Sequence, residues 1–292
     1  MRLVPRTDRE KDSTMMDQRE RRDPVRWSEL SSIDVGALVG DRPSEVGLLP
    51  VGATEQHGPH LPTGTDTIVA TALAEAASSR TGSPVLPSVA VACSYGHGTR
   101  LPGTFSLSPE NLARTVREIA EWAAHSGLRR LLIVNGHFGN QAALGVASDH
   151  LRFHRPDLRM AVCSWWDATP EILAEVTADG SDIHANRAET SMMLAVAPHL
   201  VRMDLAAHAD DPDRTEELVF RYTAPALSTN GVTGRPSEAN RELGVRLFEL
   251  ATHALVGLVE RGRDETAPIP LNVTPEDARP LVVQATELSA CP

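Results

Sequence analysis

The sequence predicts an α/β protein with a single-domain, α/β/α layered fold around a mostly parallel central sheet. Three observations carry this. Residues 46–52 and 131–134 are short, uninterrupted apolar runs, as in strands covered on both faces. Stretches with helical spacing alternate with such runs along most of the chain. The residue types that do chemistry fall just after the apolar runs, at the carboxyl rim where ligands bind in such sheets.

The elements follow in order. Residues 1–26 crowd eight basic and six acidic side chains with almost nothing to bury, and are expected to form a disordered extension. The folded domain is expected over residues 27–262. Residues 46–52 form its first strand. Residues 67–79 have helical composition, with Asp66 placed to cap them and Gly82 to stop them. Residues 84–92 are a second strand candidate, weakened by their prolines. Ser108, Pro109 and Glu110 open a helix as N-cap, first residue and early acid. Its apolar positions Leu112, Val116, Ile119 and Ala123 keep helical spacing until Gly127. Residues 131–134 are a buried strand, 141–152 a helix and 160–165 a strand. Residues 170–177 and 188–197 are helices. Residues 241–260 form a long amphipathic helix with Leu243, Leu247, Leu250, Ala254 and Leu258 on one face. The tail, 263–292, is rich in proline and polar residues and is expected to be loosely held.

Composition narrows the function. A net charge of −11 argues against a general nucleic-acid or anionic-membrane surface, which needs a basic stripe. No apolar run approaches the ~18 residues of a membrane span, and the opening residues carry no signal-peptide core. Cys93, Cys163 and Cys291 lack the spacing of a disulfide framework or zinc ribbon, so a reducing cytoplasm is the expected compartment. Cys93 and Cys163 sit among apolar residues and read as inert thiols.

Three segments carry the chemistry. Glu55 and His57 follow the first strand, two residues apart, so an extended chain turns both side chains to one face. A carboxylate and an imidazole there make a half-site for Zn²⁺, Mn²⁺ or Fe²⁺. Asp66, eleven residues past Glu55, can return to the same spot; otherwise the segment is an ordinary polar loop with a helix cap. His137 follows the strand at 131–134, between Gly136 and Gly139, which suit a tight backbone. Glu189 opens a helix, where the dipole favours a carboxylate, and His184 lies five residues before it. His60 shares the first loop and is read as orienting it. Alone, each segment also has a plain structural reading. Together they place acids and imidazoles at one rim.

These segments resemble the creatininase family of metal-dependent amidohydrolases over about residues 47–259. The matching patterns are E-x-H-G-x-H-L-P with an aspartate eleven after the glutamate, N-G-H-x-x-N, and a histidine five before E-T-S. Residues 101–107 resemble the family's P-G-T-x-S-L turn. The resemblance implies a site for two divalent metal ions (Zn, Mn or Fe) per chain. Glu55 and His137 would hold one ion, His57 the other, and Asp66 both. Family members that open creatinine carry a glutamate ligand where this chain has Gly139, so a non-creatinine substrate is expected and Glu189 is nominated in its place. Ser164, Trp165, Trp166 and Asp167 resemble the S-Y-W-D segment that lines the creatinine pocket. Trp165, Trp166, His97 and Asp182 are therefore the expected substrate contacts.

The implied reaction is hydrolysis of a C–N amide bond in a lactam, formamide or small linear amide by a hydroxide bridging the metals. His184 would protonate the leaving nitrogen, and Glu189 is grouped with it as catalytic. No G-x-S-x-G is present, so a serine hydrolase is not expected. The alternatives are a creatininase-like peptidase that trims a ribosomal peptide in cofactor maturation, supported by residues 231–236, and a metal-binding protein without turnover. The expected partners are a small-molecule or short-peptide amide and further copies of the chain, a hexamer by resemblance.

Overall fold

Leu131 and Ile133 alternate with Leu132 and Val134, and the two sets bury into separate hydrophobic clusters. That period of two is what a strand between two helical layers requires. The computed structural model describes residues 22–98 and 100–268. Among these residues, β1 (Val46–Val51), β2 (Arg130–Asn135) and β3 (Arg159–Ser164) form a parallel sheet in the order β1-β2-β3. Val46 is in register with Arg130 and Arg130 with Arg159, and the pairing runs to Val51, Asn135 and Ser164. All three strands therefore end at one rim.

Nine α-helices surround the sheet among the described residues: α1 (Ser32–Asp41), α2 (Thr65–Thr81), α3 (Pro109–His125), α4 (Gln141–His154), α5 (Pro170–Val176), α6 (Arg187–Val196), the single turns α7 (Met203–Ala206) and α8 (Ala224–Leu227), and α9 (Arg241–Asp264). One face packs on α2, α6 and α9 through Leu48, Leu73, Val134, Met192 and Leu247. The other packs on α3 and α4 through Leu49, Ile133, Leu112, Val116 and Leu144. This is the α/β/α layering expected from the sequence. Local chemistry starts and stops the helices. Ser108 Oγ accepts the Asn111 N–H ahead of Pro109, and Asn240 Oδ1 accepts the Leu243 N–H. Gly82, at φ +73°, ends α2 in the left-handed region. No helix among the described residues is long and apolar enough to cross a membrane.

Four details differ from the sequence reading. Residues 84–92 do not form a continuous strand. Val85 and Val89 bridge β1 in parallel, but Pro84 and Pro87 have no N–H to donate, so the pairing comes in separate pieces. Asp66 is not the cap of α2; Gly64 takes that position and Asp66 lies, buried, in the first turn. The buried face of α9 is Leu243, Leu247, Ala251, Leu255 and Val259, rotated from the expected stripe so that Leu250, Ala254 and Leu258 sit at its edge. The helix also runs on into the expected tail, where Arg263 pairs with buried Glu45 at 2.7 Å. Residues 1–21 and 269–292, most of the charged extension and tail, lie outside the described residues. Residues 22–26 are tied to the domain: the Val25 N–H donates to Ser78 Oγ, and the Val25 carbonyl accepts the Val85 N–H.

Helices α6 and α9 pack closely because Gly244 has no side chain. A Cβ there would lie 1.7 Å from the Ser191 carbonyl oxygen. Gly145, in α4, has nothing within 4 Å of that position. Alanine is the better helix former by ~1 kcal/mol, so Gly145→Ala is expected to stabilise by ~0.4–1 kcal/mol. Gly244→Ala is expected to destabilise by ~1–3 kcal/mol through overpacking. Urea midpoints of the two variants check this. A Gly244→Ala protein as stable as the parent would contradict the close helix contact.

Candidate active site

Two glycines bring the start of α2 onto the sheet rim. A Cβ on Gly52, just past β1, would lie 2.3 Å from the Thr67 nitrogen, and one on Gly136, just past β2, would lie 2.3 Å from the Asp66 carbonyl oxygen. Both positions require glycine for that backbone approach, and the result seats the Asp66 carboxylate over the strand ends. The loop after β1 brings Glu55 and His57, and the loop after β2 brings His137. The segment before α6 adds His184 and, inside its first turn, Glu189. Asn186 caps that turn by accepting the N–H groups of Ala188 and Glu189. Ala185 sits at φ +51°, a left-handed conformation that costs energy outside glycine. Its N–H donates to Glu189 Oε2 at 2.5 Å, which fixes that carboxylate.

The side chains converge. Glu55 Oε1 lies 3.0 Å from His97 Nε2 and 3.5 Å from His184 Nδ1, and Glu55 Oε2 lies 3.2 Å from His137 Nε2. Asp66 Oδ1 lies 3.1 Å from His57 Nε2, and Asp66 Oδ2 lies 3.4 Å from His137 Nδ1. Glu55, His57, Asp66, His137, His184 and Glu189 are all buried. Both Glu55 oxygens and Asp66 Oδ2 make no hydrogen bond, because the imidazole nitrogens near them are close but off the hydrogen-bond line. Three groups bring ligand atoms within 4.8 Å of one another: Glu55 with His97 and His137, Glu55 with His57 and His184, and His57 with Asp66 and Glu189. Buried carboxylate oxygens without donors, clustered with imidazole nitrogens, fit the donor set of a borderline divalent cation. The His57 Nδ1–H donates to the Glu55 carbonyl at 3.1 Å, the kind of support that orients a ligating imidazole.

Electrostatics follow from this crowding. Burial, and then the Asp66 charge, hold the Glu55 carboxyl well above the usual range. Burial lifts Glu189 to about 7. Burial opposes a charge on His57, but Asp66, Glu189 and Glu55 outweigh it and raise His57 to about 10. The same His57 contact lowers Asp66 against its own burial. Burial keeps the other imidazoles neutral: His97 falls to about 3, His60 to about 4, and His137 and His184 fall below their ordinary value.

A cavity of about 440 Å³ opens over the cluster, lined by Glu55, His97, His137, His184, Glu189 and Asp182 at its floor. Trp166 and Phe138 form one wall, with ring centroids 5.6 Å apart. Trp165 does not line the cavity; it is buried in the core cluster. His60 stands behind the cluster, with Nε2 2.8 Å from Thr190 Oγ1. Gly139 allows no side chain without movement, since a Cβ would lie 2.4 Å from His137 Nε2 and 2.5 Å from the Cys93 carbonyl. The sequence reading missed Gln56, which touches two of the imidazoles, and the rim formed by Leu218, Phe220, Arg221 and Tyr222. The exposed apolar residues within the run Leu218–Tyr222 are the signal that could have marked that rim.

The family model described as creatinine amidohydrolase matches residues 28–259. A creatinine amidohydrolase of Pseudomonas putida is 32% identical over 242 residues, covering 76% of this chain and 90% of the relative. A mycofactocin precursor peptide peptidase of Mycobacterium tuberculosis (strain CDC 1551 / Oshkosh) is 35% identical over 252 residues, covering 82% of this chain and 94% of the relative. A solved creatinine amidohydrolase (creatininase) superposes with a TM-score of 0.72 at 29% identity, over 83% of this chain and 99% of that one. Solved creatininases include a manganese form and a Zn-Zn form. With its parallel sheet and the matched segments at one rim, the chain belongs to the creatininase family.

Proposed function

We propose that the protein is a metal-dependent hydrolase of a C–N amide bond in a small linear amide, formamide or lactam. The observation that carries this is the pair of buried carboxylates, Glu55 and Asp66, three of whose four oxygens lack a hydrogen-bond donor yet lie close to imidazole nitrogens. Glu55 and His137 would hold one divalent ion, His57 and Glu189 a second, with Asp66 between them. Zn²⁺ and Mn²⁺ are the preferred ions, as the solved Zn-Zn and manganese relatives suggest. When bound, two such ions supply Lewis acidity and an activated water.

The chain's own groups do the rest. His184 is neutral at physiological pH, with Nδ1 toward Glu55, so it can take a proton at Nδ1 and return it to the leaving nitrogen. His97 and Asp182 stand at the floor to meet the polar part of the amide, and Trp166 and Phe138 exclude water from one side. Creatinine is disfavoured as the substrate because the space beside Gly139 is taken by His137 and the Cys93 carbonyl, so no glutamate fits there without displacing them. A peptide substrate is the second reading. It is favoured by the apolar rim of Leu218, Phe220 and Tyr222, which a small polar amide does not need.

A panel of creatinine, small amides and short peptides identifies the substrate. On it, Glu55→Gln and Asp66→Asn are each expected to lower turnover by more than ~100-fold, since even supporting groups around a metal cost 10–100-fold. Both proteins should stay folded by circular dichroism. Full activity in either variant would overturn this reading.

The metal-free protein is expected to be most stable near pH 6.5. Below it, His60 and His97 stay neutral when folded, at about 4 and about 3, but take up protons on unfolding, so stability falls as pH drops. Above it, His57 loses its proton on the way to about 10, and the stability gained from that proton is lost. Glu189, raised from 4.5 to about 7, removes stability as pH rises through that interval, partly offsetting the histidines. Urea midpoints of chelator-treated protein from pH 4.5 to 9 test this. A midpoint still rising above pH 7 would contradict it.

A further inference from the structure

We propose that Gln56 is a positioning residue that fixes the tautomers of two site imidazoles, so that His97 presents an N–H to the cavity and His184 presents a bare Nδ1. Gln56 is buried between Glu55 and His57, and all its polar atoms are engaged. Its Oε1 accepts the Gly58 N–H at 3.1 Å, which sets the direction of the amide. Its Nε2 then faces three groups: His97 Nδ1 at 3.1 Å, His184 Nε2 at 2.9 Å and the Gly231 carbonyl at 3.2 Å. An amide nitrogen has two hydrogens for these three.

The main-chain carbonyl of Gln56 decides between them. It lies 2.8 Å from His184 Nε2, and a carbonyl oxygen only accepts, so that nitrogen carries the hydrogen. His184 Nε2 therefore cannot also accept from the amide, and its 2.9 Å approach to Gln56 Nε2 is a side-on contact. The two amide hydrogens go to His97 Nδ1 and the Gly231 carbonyl. This assignment gives the Gln56 side-chain amide, His97 Nδ1 and His184 Nε2 a partner each. The reverse would leave two lone pairs facing at 2.8 Å.

The consequence is a division of labour. A neutral imidazole carries one N–H. His97 accepts at Nδ1, so its hydrogen is on Nε2, at the cavity floor and 3.0 Å from Glu55 Oε1 but off the hydrogen-bond line. It is set to donate to an acceptor oxygen in the cavity and is a poor metal ligand. His184 gives its hydrogen to the loop and keeps Nδ1 free for a proton or a cation. Of the three ligand groups, the one containing His97 is then the least suited to an ion. Gly231, at φ +83°, holds the arrangement from above: a Cβ there would lie 1.9 Å from Gln56 Oε1. Only the use made of these two atoms rests on the amide-hydrolase reading; the tautomers themselves do not.

Nitrogen-15 magic-angle-spinning spectra of histidine-labelled, metal-free protein test the proposal without turnover, because protonated and bare imidazole nitrogens resonate in separate ranges. Spectra of His97→Asn and His184→Asn proteins assign the signals. Parent protein should show both Nε2 atoms protonated and both Nδ1 atoms bare. Gln56→Met removes the side-chain donor but keeps the main-chain carbonyl, so His97 should lose its single tautomer while His184 keeps its own. Added Zn²⁺ should leave the His97 Nε2 proton in place. A protonated His97 Nδ1 in the parent, an unchanged His97 in Gln56→Met, or loss of the His97 Nε2 proton with Zn²⁺ would each overturn the proposal. The parent spectrum decides even where Gln56→Met fails to fold. Absence of hydrolysis with intact tautomers would count against the hydrolase reading alone.

Discussion

Burying carboxylates without donors is the constraint to which the rest of the site answers. An isolated carboxylate in a protein interior costs several kcal/mol unless it is paired or neutralised. Glu55, Asp66 and Glu189 share one buried cluster, so their mutual repulsion adds to the cost. The protein surrounds them with His57, His97, His137 and His184 and leaves three carboxylate oxygens without a hydrogen bond. Divalent cations resolve both problems together: they cancel the charge and occupy the lone pairs.

The fold supplies the geometry that this requires. A parallel sheet ends its strands at one rim, and Gly52 and Gly136 let the first turn of α2 reach that rim. Glycine at 244 does the same for the contact of α9 with α6, the helix that carries Glu189. Small residues thus mark where backbone must approach backbone, and the site residues Glu55 and His137 stand three and one positions past Gly52 and Gly136. Acids also hold the backbone around the site by accepting main-chain N–H groups. Asp213 Oδ2 accepts from Ser181 and Asp182, and Asp179 Oδ2 accepts from Arg187 and Arg235.

Much of this was legible in the sequence. Apolar runs located β1, β2 and most of β3, and cap and stop residues located α3 and the end of α2. The histidine and acid patterns, with the family resemblance, pointed to all seven members of the cluster, Glu55, His57, Asp66, His97, His137, His184 and Glu189. The rest depended on information that periodicity does not carry. Prolines at 84 and 87 left it open whether the segment beside β1 would pair continuously, and hydrogen-bond supply decided it. The face of α9 was misjudged by one position because leucines occupy both the buried stripe and its edge. Trp165 and Trp166 are adjacent, alike and buried in one cluster just past β3, yet only Trp166 lines the cavity. Gln56 carries no charge and fits no period, so only its contacts reveal it.

The balance between small amides and peptides turns on the cavity's upper wall, where Leu218, Phe220 and Tyr222 offer apolar surface above a polar floor. The buried acid and imidazole cluster beneath it would serve either substrate. Elemental analysis of metal per chain, on protein purified without chelators or added metal, tests the central claim most directly. About two divalent ions per chain are expected. None, even after Zn²⁺ or Mn²⁺ is offered back, would contradict a metal-dependent site.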